Sequence, residues 1–204
     1  MASDVSAVAA LIRGVDLQTR LQNSAHSVLR RTGAQAKASS LFREIRGYLQ
    51  KASDKKFIRE SPHLIYENLK LTRLEDGMFD ISVGDVRNFR RDLNLPHFTR
   101  ADGGWFDFQL LIREGASELE VVAYDFELRL PGGGQISFLR FDVNPPGHDN
   151  ESKSLRAHVH LNSDDDGFSV PAPILSPFEV FDVFIFGVQS TGRVRRIERT
   201  LLQG

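Results

Sequence analysis

The chain has 204 residues, of which 41% are apolar and 26% are charged, and its net charge is −1. The apolar fraction excludes a disordered chain, and the absence of cysteine excludes disulfides, thiolate metal sites and cysteine nucleophiles. No apolar run approaches the ~18 residues that a membrane helix needs, and no secretory signal is recognisable, so we expect a cytoplasmic protein without membrane partners.

Positive and negative charges are concentrated in different parts of the chain. Residues 1–60 contain 11 Lys and Arg against 5 Asp and Glu, a balance of +6, whereas residues 61–204 contain 15 against 22, a balance of −7. A basic segment of this kind can bind phosphate groups, or it can dock on the acidic remainder of the chain or on an acidic protein. Composition therefore leaves RNA and protein open as partners.

Residues 1–76 are predicted to form a helical, basic N-terminal segment. Apolar residues at helical spacing predict one or two helices over 4–33, with Gly14 as the point of division if there are two. A further helix is expected to open at 39–40, and another at 61–62, where Pro follows Ser and suits the first helical position. We expect this last helix to end at 75–77.

Residues 77–204 change to the two-residue period of β-strands, which predicts an antiparallel sheet of about five strands. The predicted elements are strands at 78–83, 105–113, 118–130, 135–144, 154–161 and 168–172, a short helix at 85–93 and a polar loop at 94–104.

A strong helix start follows the sheet at Ser176, Pro177 and Glu179, where Ser can cap, Pro can occupy the first position and Glu can reach back to the cap amide. Residues 178–188 are apolar almost all round, which is typical of a buried helix. The predicted fold class is therefore α+β: N-terminal helices followed by an antiparallel sheet of about five strands, covered by a C-terminal apolar helix. Residues 1–76 and 77–204 are expected to form one compact domain.

Strand alternation also predicts a polar face on the sheet. Side chains two residues apart on a strand share a face, and sequential antiparallel strands are usually neighbours. The side chains expected on this face are Asp107, Gln109, Asp125, Glu127, Arg129, Arg140, Asp142, Arg156, His158 and His160.

One chemistry for this face is the cleavage of RNA without a metal ion. His158 and His160 would act as general acid and base, since one imidazole can take the proton of a 2′-hydroxyl while the other protonates the leaving oxygen. Arg140 and Arg156 would hold the phosphate, and Asp142 would orient a histidine. This interpretation requires no cofactor and no metal.

Two other interpretations stay open for the same residues. His158 and His160, together with Asp125 or Asp142, can hold a divalent metal ion that activates water. Alternatively, the face is an ordinary solvated side of an antiparallel sheet, where pairs of Arg and acidic residues across strands are common.

A non-catalytic role is the main alternative to an enzyme. In that role, a basic surface would contact a phosphate backbone or an acidic protein through Arg43, Arg46, Arg87, Arg90 and Arg91. The chain can also be a subunit of a larger assembly, with a protein partner at the basic N-terminal segment or at the apolar helix 178–188.

Residues 136–190 resemble the small TumE-type toxins of bacterial toxin–antitoxin pairs in the order of their features. A strand with Arg140-Phe141-Asp142 is followed by a loop with Pro145-Pro146, a strand ending in His158-Val159-His160, and a helix from Pro177. The resemblance covers about a quarter of the chain and implies an intracellular, toxin-like or defence-associated role acting on RNA. The sequence therefore predicts a protein that acts on nucleic acid, as a ribonuclease with the His-x-His pair or as a binding subunit.

Overall fold

The structure is a computed structural model, and it describes residues 37–85, 87–88, 92–116, 118–131, 136–148, 156–162 and 169–188. The helices predicted over 4–33 lie outside these residues. No helix in the described ranges is long and apolar enough to cross a membrane.

Three α-helices and eight strands make up the described part of the chain. The helices are α1 (Ala38–Asp54), α2 (Pro62–Asn68) and α3 (Pro177–Asp182), and α3 continues into a π-helix at Val183–Gly187. The strands are β1 (Leu69–Arg73), β2 (Met78–Val83), β3 (Phe98–Thr99), β4 (Trp105–Glu114), β5 (Leu119–Arg129), β6 (Phe138–Val143), β7 (Ala157–Leu161) and β8 (Ser169–Pro171).

The strands form one antiparallel sheet in the order β1-β2-β4-β5-β6-β7-β8, with β3 paired to β4. The predicted α+β class with an antiparallel sheet and a C-terminal helix is confirmed. The sheet has eight strands instead of about five: the six predicted strand segments are all present, and β1 and β3 arise in segments that were assigned to a helix and to a loop.

The helix predicted from 61–62 to 75–77 is correct only in its first half. Ser61 caps α2 by accepting from the Leu64 amide at 3.3 Å. The helix then ends at Asn68, and residues 69–73 pair with β2 across a turn in which Gly77 has a φ of +71°. The sequence of β1 alternates as in a β-strand, but Leu69 also fits the helical spacing of the preceding residues. Periodicity alone therefore predicted a helix where the chain forms a strand.

The helix predicted over 85–93 is wrong for the described residues of that range, none of which is helical. Asn88 bonds to the backbone of Asp92 instead: its Nδ2 donates to the carbonyl at 2.8 Å and its Oδ1 accepts from the amide at 2.7 Å. Asn side chains of this kind compete with helical hydrogen bonds. Arg87 and Asn88 lie over the sheet, where Arg87 forms an ion pair with Asp125 and the Asn88 carbonyl accepts from Arg129 Nη2 at 3.4 Å.

The C-terminal helix covers the apolar face of the sheet. Its predicted capping box is present, because Ser176 Oγ accepts from the Glu179 amide and Glu179 accepts from the Ser176 amide. Phe181 is fully buried, with its ring centroid 5.0 Å from Phe108 and 5.2 Å from Phe126. The apolar helix that was a candidate interface for an assembly thus packs into the core of its own chain.

Helix α1 lies on the same side of the sheet. The Tyr48 ring is 5.6 Å from Phe181, and its hydroxyl donates to Asp182 at 2.6 Å. Arg100 is buried and stabilises the π-helix, because its Nη1 donates to the Phe184 carbonyl at 2.6 Å. Helices α1 and α3 therefore cover the same face of the sheet, and the polar side chains lie on the opposite face.

Candidate functional site

The polar face consists of two rows of side chains that run across four strands. Directly opposed residues of antiparallel strands have neighbouring side chains on the same face. The register of β4 to β7 aligns Gln109, Asp125, Asp142 and His158 in one row, and Asp107, Glu127, Arg140 and His160 in the next. The structure therefore brings together four of the five residues predicted to be catalytic.

These side chains are buried, unlike those of a solvated sheet face. The side chain of His158 is 2% exposed, that of His160 is 0% exposed and that of Asp142 is 10% exposed. At the middle of the face, Arg87 of the segment after β2 forms an ion pair with Asp125. Buried charged groups are costly unless they are paired and hydrogen-bonded, so the stability of this face depends on the contacts within the two rows.

Arg129 compensates the acidic residues at one end of the face. Its Nη1 lies 3.1 Å from an oxygen of Asp107, and its Nε lies 3.0 Å from an oxygen of Glu127. The guanidinium also stacks 4.1 Å from the ring of Trp105. Burial raises the pKa of Asp107, and the charge of Arg129 opposes this shift. Arg129, Asp107 and Glu127 therefore form one ion-pair group at this end of the face.

Asp142 is the centre of a second group. Its Oδ2 lies 2.8 Å from Arg140 Nε, 3.2 Å from His160 Nε2 and 3.4 Å from His158 Nε2. Its Oδ1 is also buried but has no hydrogen-bond partner in the part of the chain that the structure describes. Burial alone raises the pKa of a carboxyl, but the contact with His160 and the charge of Arg140 outweigh it and lower the pKa of Asp142. The group therefore presents an ionised carboxylate.

A cavity of about 360 Å³ opens beside this group. Its polar lining includes Arg87, Asp125, Arg140, Asp142, His148 and His158. His160 does not line it. The cavity wall thus contains His158, Asp142 and two guanidinium groups, whereas His160 lies behind it. Sequence reasoning missed His148, because nothing in its loop sequence shows which wall of the fold it approaches.

The side chains of Asp142, His158 and His160 also meet the geometric requirement for a metal site. One ligand atom from each lies within 4.8 Å of the other two. Of the two carboxylates weighed from the sequence, the structure places Asp142 rather than Asp125 with both imidazoles.

Arg156 is held apart from the cluster. Its Nε donates to the Asn144 carbonyl at 3.1 Å, and its Nη2 donates to the Val122 carbonyl at 3.2 Å. Val122 lies at the irregularity in the pairing of β4 with β5. The guanidinium thus joins the irregular point of β5, where ladder hydrogen bonds are disrupted, to the residue after β6. It does not line the cavity.

The arginines predicted to bind nucleic acid do not form a single surface. Arg43 donates to the Ser39 carbonyl and Ser40 Oγ of its own helix, both at 3.3 Å. Arg46 stacks 5.6 Å from the ring of Tyr66. Both lie on the helical side of the sheet, whereas Arg87 lies on the polar side in the cavity wall. Arg90 and Arg91 are outside the described residues.

Comparison with known proteins identifies no relative. No protein-family model, no curated protein and no solved structure matches the chain.

Proposed function

We propose that the protein is a phosphodiesterase that acts on RNA in the cavity between Arg87 and Asp142. The observation that carries the proposal is the buried group of Asp142, His158 and Arg140 at the wall of a cavity that holds a second arginine. Buried, mutually paired ionisable groups in a cleft are typical of sites where charge is used in a reaction.

The two guanidinium groups provide the means to bind a phosphodiester. Arginine donates several N–H groups in one plane and stays charged at every physiological pH, which suits phosphate oxygens. Arg87 is 37% exposed and Arg140 is 15% exposed, so the first can meet an incoming phosphate and the second can act inside the cavity. Their present partners, Asp125 and Asp142, hold both side chains at the cavity wall.

The His158–Asp142 pair activates the attacking hydroxyl. An imidazole beside a carboxylate is the usual arrangement for increasing the reactivity of an oxygen nucleophile. His160, which is buried and outside the cavity lining, supports Asp142 instead of protonating the leaving group. This assignment replaces the acid–base pair of His158 and His160 that was expected from the sequence.

The toxin-like part of the proposal is supported by the sequence resemblance of residues 136–190 to TumE-type toxins. That stretch contributes Arg140, Asp142, His148 and His158 to the cavity wall. A toxin that cleaves RNA would stop growth of the bacterial cell that produces it, so the activity has a cellular consequence that can be measured.

Cleavage of a labelled single-stranded RNA of mixed sequence tests the proposal. We expect His158→Gln to cleave about 10²–10⁴-fold more slowly than the wild type. His63→Gln, a change at an exposed pair with Glu67 on α2, should cleave at the wild-type rate. Equal rates for all three proteins, or no cleavage by the wild type, would contradict the proposal. Growth arrest by the wild type but not by His158→Gln would test the toxin-like role.

A further inference from the structure

We propose that Asp142, His158 and His160 bind one Zn²⁺ ion beside the cavity. As a binding site, this inference depends on the geometry of three side chains. As the source of the activated nucleophile, it rests on the phosphodiesterase function proposed above, and it makes His158 a metal ligand instead of the base that activates a hydroxyl.

Two of the three distances between the ligand atoms fit a zinc ion. Bonds of about 2.0–2.2 Å in tetrahedral geometry place neighbouring ligand atoms about 3.3–3.6 Å apart. Asp142 Oδ2 lies 3.2 Å from His160 Nε2 and 3.4 Å from His158 Nε2. A ligand nitrogen of each imidazole lies within 4.8 Å of the other, so side-chain movements that close this distance would place one ion within bonding distance of all three residues.

The carboxylate supplies an independent indication that a ligand belongs at this point. Asp142 is nine-tenths buried, and its Oδ1 has no hydrogen-bond partner among the described residues. By contrast, one arginine nitrogen and two imidazole nitrogens surround its Oδ2. A buried carboxylate oxygen without a partner is costly. A cation bound between the carboxylate and the imidazoles would compensate the charge of both oxygens.

The donor types favour zinc over magnesium or calcium. Imidazole nitrogen suits Zn²⁺, whereas Mg²⁺ and Ca²⁺ take oxygen ligands. Two histidines and one carboxylate make three protein ligands, which is the number that catalytic zinc sites use. Arg140, whose Nε is 2.8 Å from Asp142 Oδ2, would hold the ligand carboxylate in place.

The fourth position of the ion would face the cavity, because two of the three ligands, Asp142 and His158, line it. Zinc would lower the pKa of a water bound at this position to about 7. Its oxygen would form a bond to the phosphorus, the bond from phosphorus to the leaving sugar oxygen would break, and that oxygen would take up one proton. The water would supply this proton, so no further reactant is needed.

Titration of the full-length, EDTA-treated protein tests the site. We expect one equivalent of Zn²⁺ by calorimetry, a higher Tm with Zn²⁺, and the visible absorption of four-coordinate cobalt when Co²⁺ is used as the probe. Asp142→Asn and His158→Gln should lose at least tenfold in Zn²⁺ affinity, whereas His63→Gln should bind like the wild type. Because the wild-type titration is itself decisive, a variant that fails to fold does not weaken the test.

The outcomes separate this inference from the proposed function. RNA cleavage that persists in EDTA, together with no stoichiometric Zn²⁺ binding, would overturn the metal site and leave the phosphodiesterase. Stoichiometric Zn²⁺ binding without RNA cleavage would support the site and overturn the function. Binding that His63→Gln reduces and His158→Gln does not would show an adventitious surface ion and would overturn the inference.

Discussion

Replacement of Asp142 by Asn tests whether the buried carboxylate stabilises the fold. The change keeps the shape of the side chain but removes the negative charge that lies 2.8 Å from Arg140 and 3.2 Å from His160. Removal of one partner from a buried ion pair costs about 3–5 kcal/mol, because the other charge remains uncompensated. Since Asp142 is only 10% exposed, solvent screens little of this effect. We expect the free energy of unfolding to fall by about 3–5 kcal/mol.

Urea unfolding at pH 7 in EDTA, followed by circular dichroism, measures this loss without any contribution from bound metal. The matched control is Glu120→Gln, which removes the same charge from an exposed pair with Arg113 at 3.0 Å. Glu120 is 41% exposed, so this loss should stay below about 1 kcal/mol. Losses of equal size in the two variants would refute the reasoning.

The contribution of Asp142 also depends on pH in a defined direction. Burial raises the pKa of Asp142, but the contacts with His160 and Arg140 outweigh burial and leave this pKa below its ordinary value. Such a carboxyl stabilises the fold above its unfolded-state pKa of about 3.9, and the stabilisation is lost as pH falls through the folded-state pKa. The stability difference between the wild type and Asp142→Asn should therefore shrink on acidification below about pH 3.9. A difference that grows there contradicts the direction.

Three further predictions concern core packing, backbone conformation and phosphate binding. Phe181→Ala should lower the free energy of unfolding by about 3–5 kcal/mol in urea, because the buried ring packs against phenylalanines of the sheet; a loss below 1 kcal/mol would contradict the packing. Gly77→Ala should destabilise by about 1–2 kcal/mol, since φ is +71°, whereas Gly47→Ala within α1 should stabilise by about 0.5–1 kcal/mol; equal changes in their Tm would refute this contrast. Arg87→Ala should reduce the slope of log affinity against log salt for a 2′-O-methyl RNA by about 0.7, and an unchanged slope would remove Arg87 from the phosphate contacts.

The sequence predicts the long strands well, because alternation has a single interpretation when it continues for many residues. Phe106, Phe108 and Leu110 are all buried on the helical side of β4, so the polar partners of these strands fall on the other face. Once the register is known, the convergence of Asp142, His158 and His160 follows from their positions in the pattern.

Short segments and burial could not be predicted in this way. Residues 69–73 are too few for their period to exclude a helix, and the side-chain bonds of Asn88 outweigh the helical spacing around it. The full burial of His160 arises only when β7 is paired within the sheet, between β6 and β8. Arg156 lies two residues before His158 and so fits the alternating pattern of the polar face. Its guanidinium nevertheless donates to two backbone carbonyls and is held apart from the cluster.

The position of α3 after the last strand has a consequence for the synthesis of the protein. Phe181 and Phe184 cover Phe106 and Phe126, yet they leave the ribosome after every strand of the described sheet. A nascent chain therefore carries an uncovered phenylalanine surface until residue 187 has been released, and exposed surface of this kind drives aggregation between chains. Chaperone dependence should consequently peak late in translation, just before the helix docks.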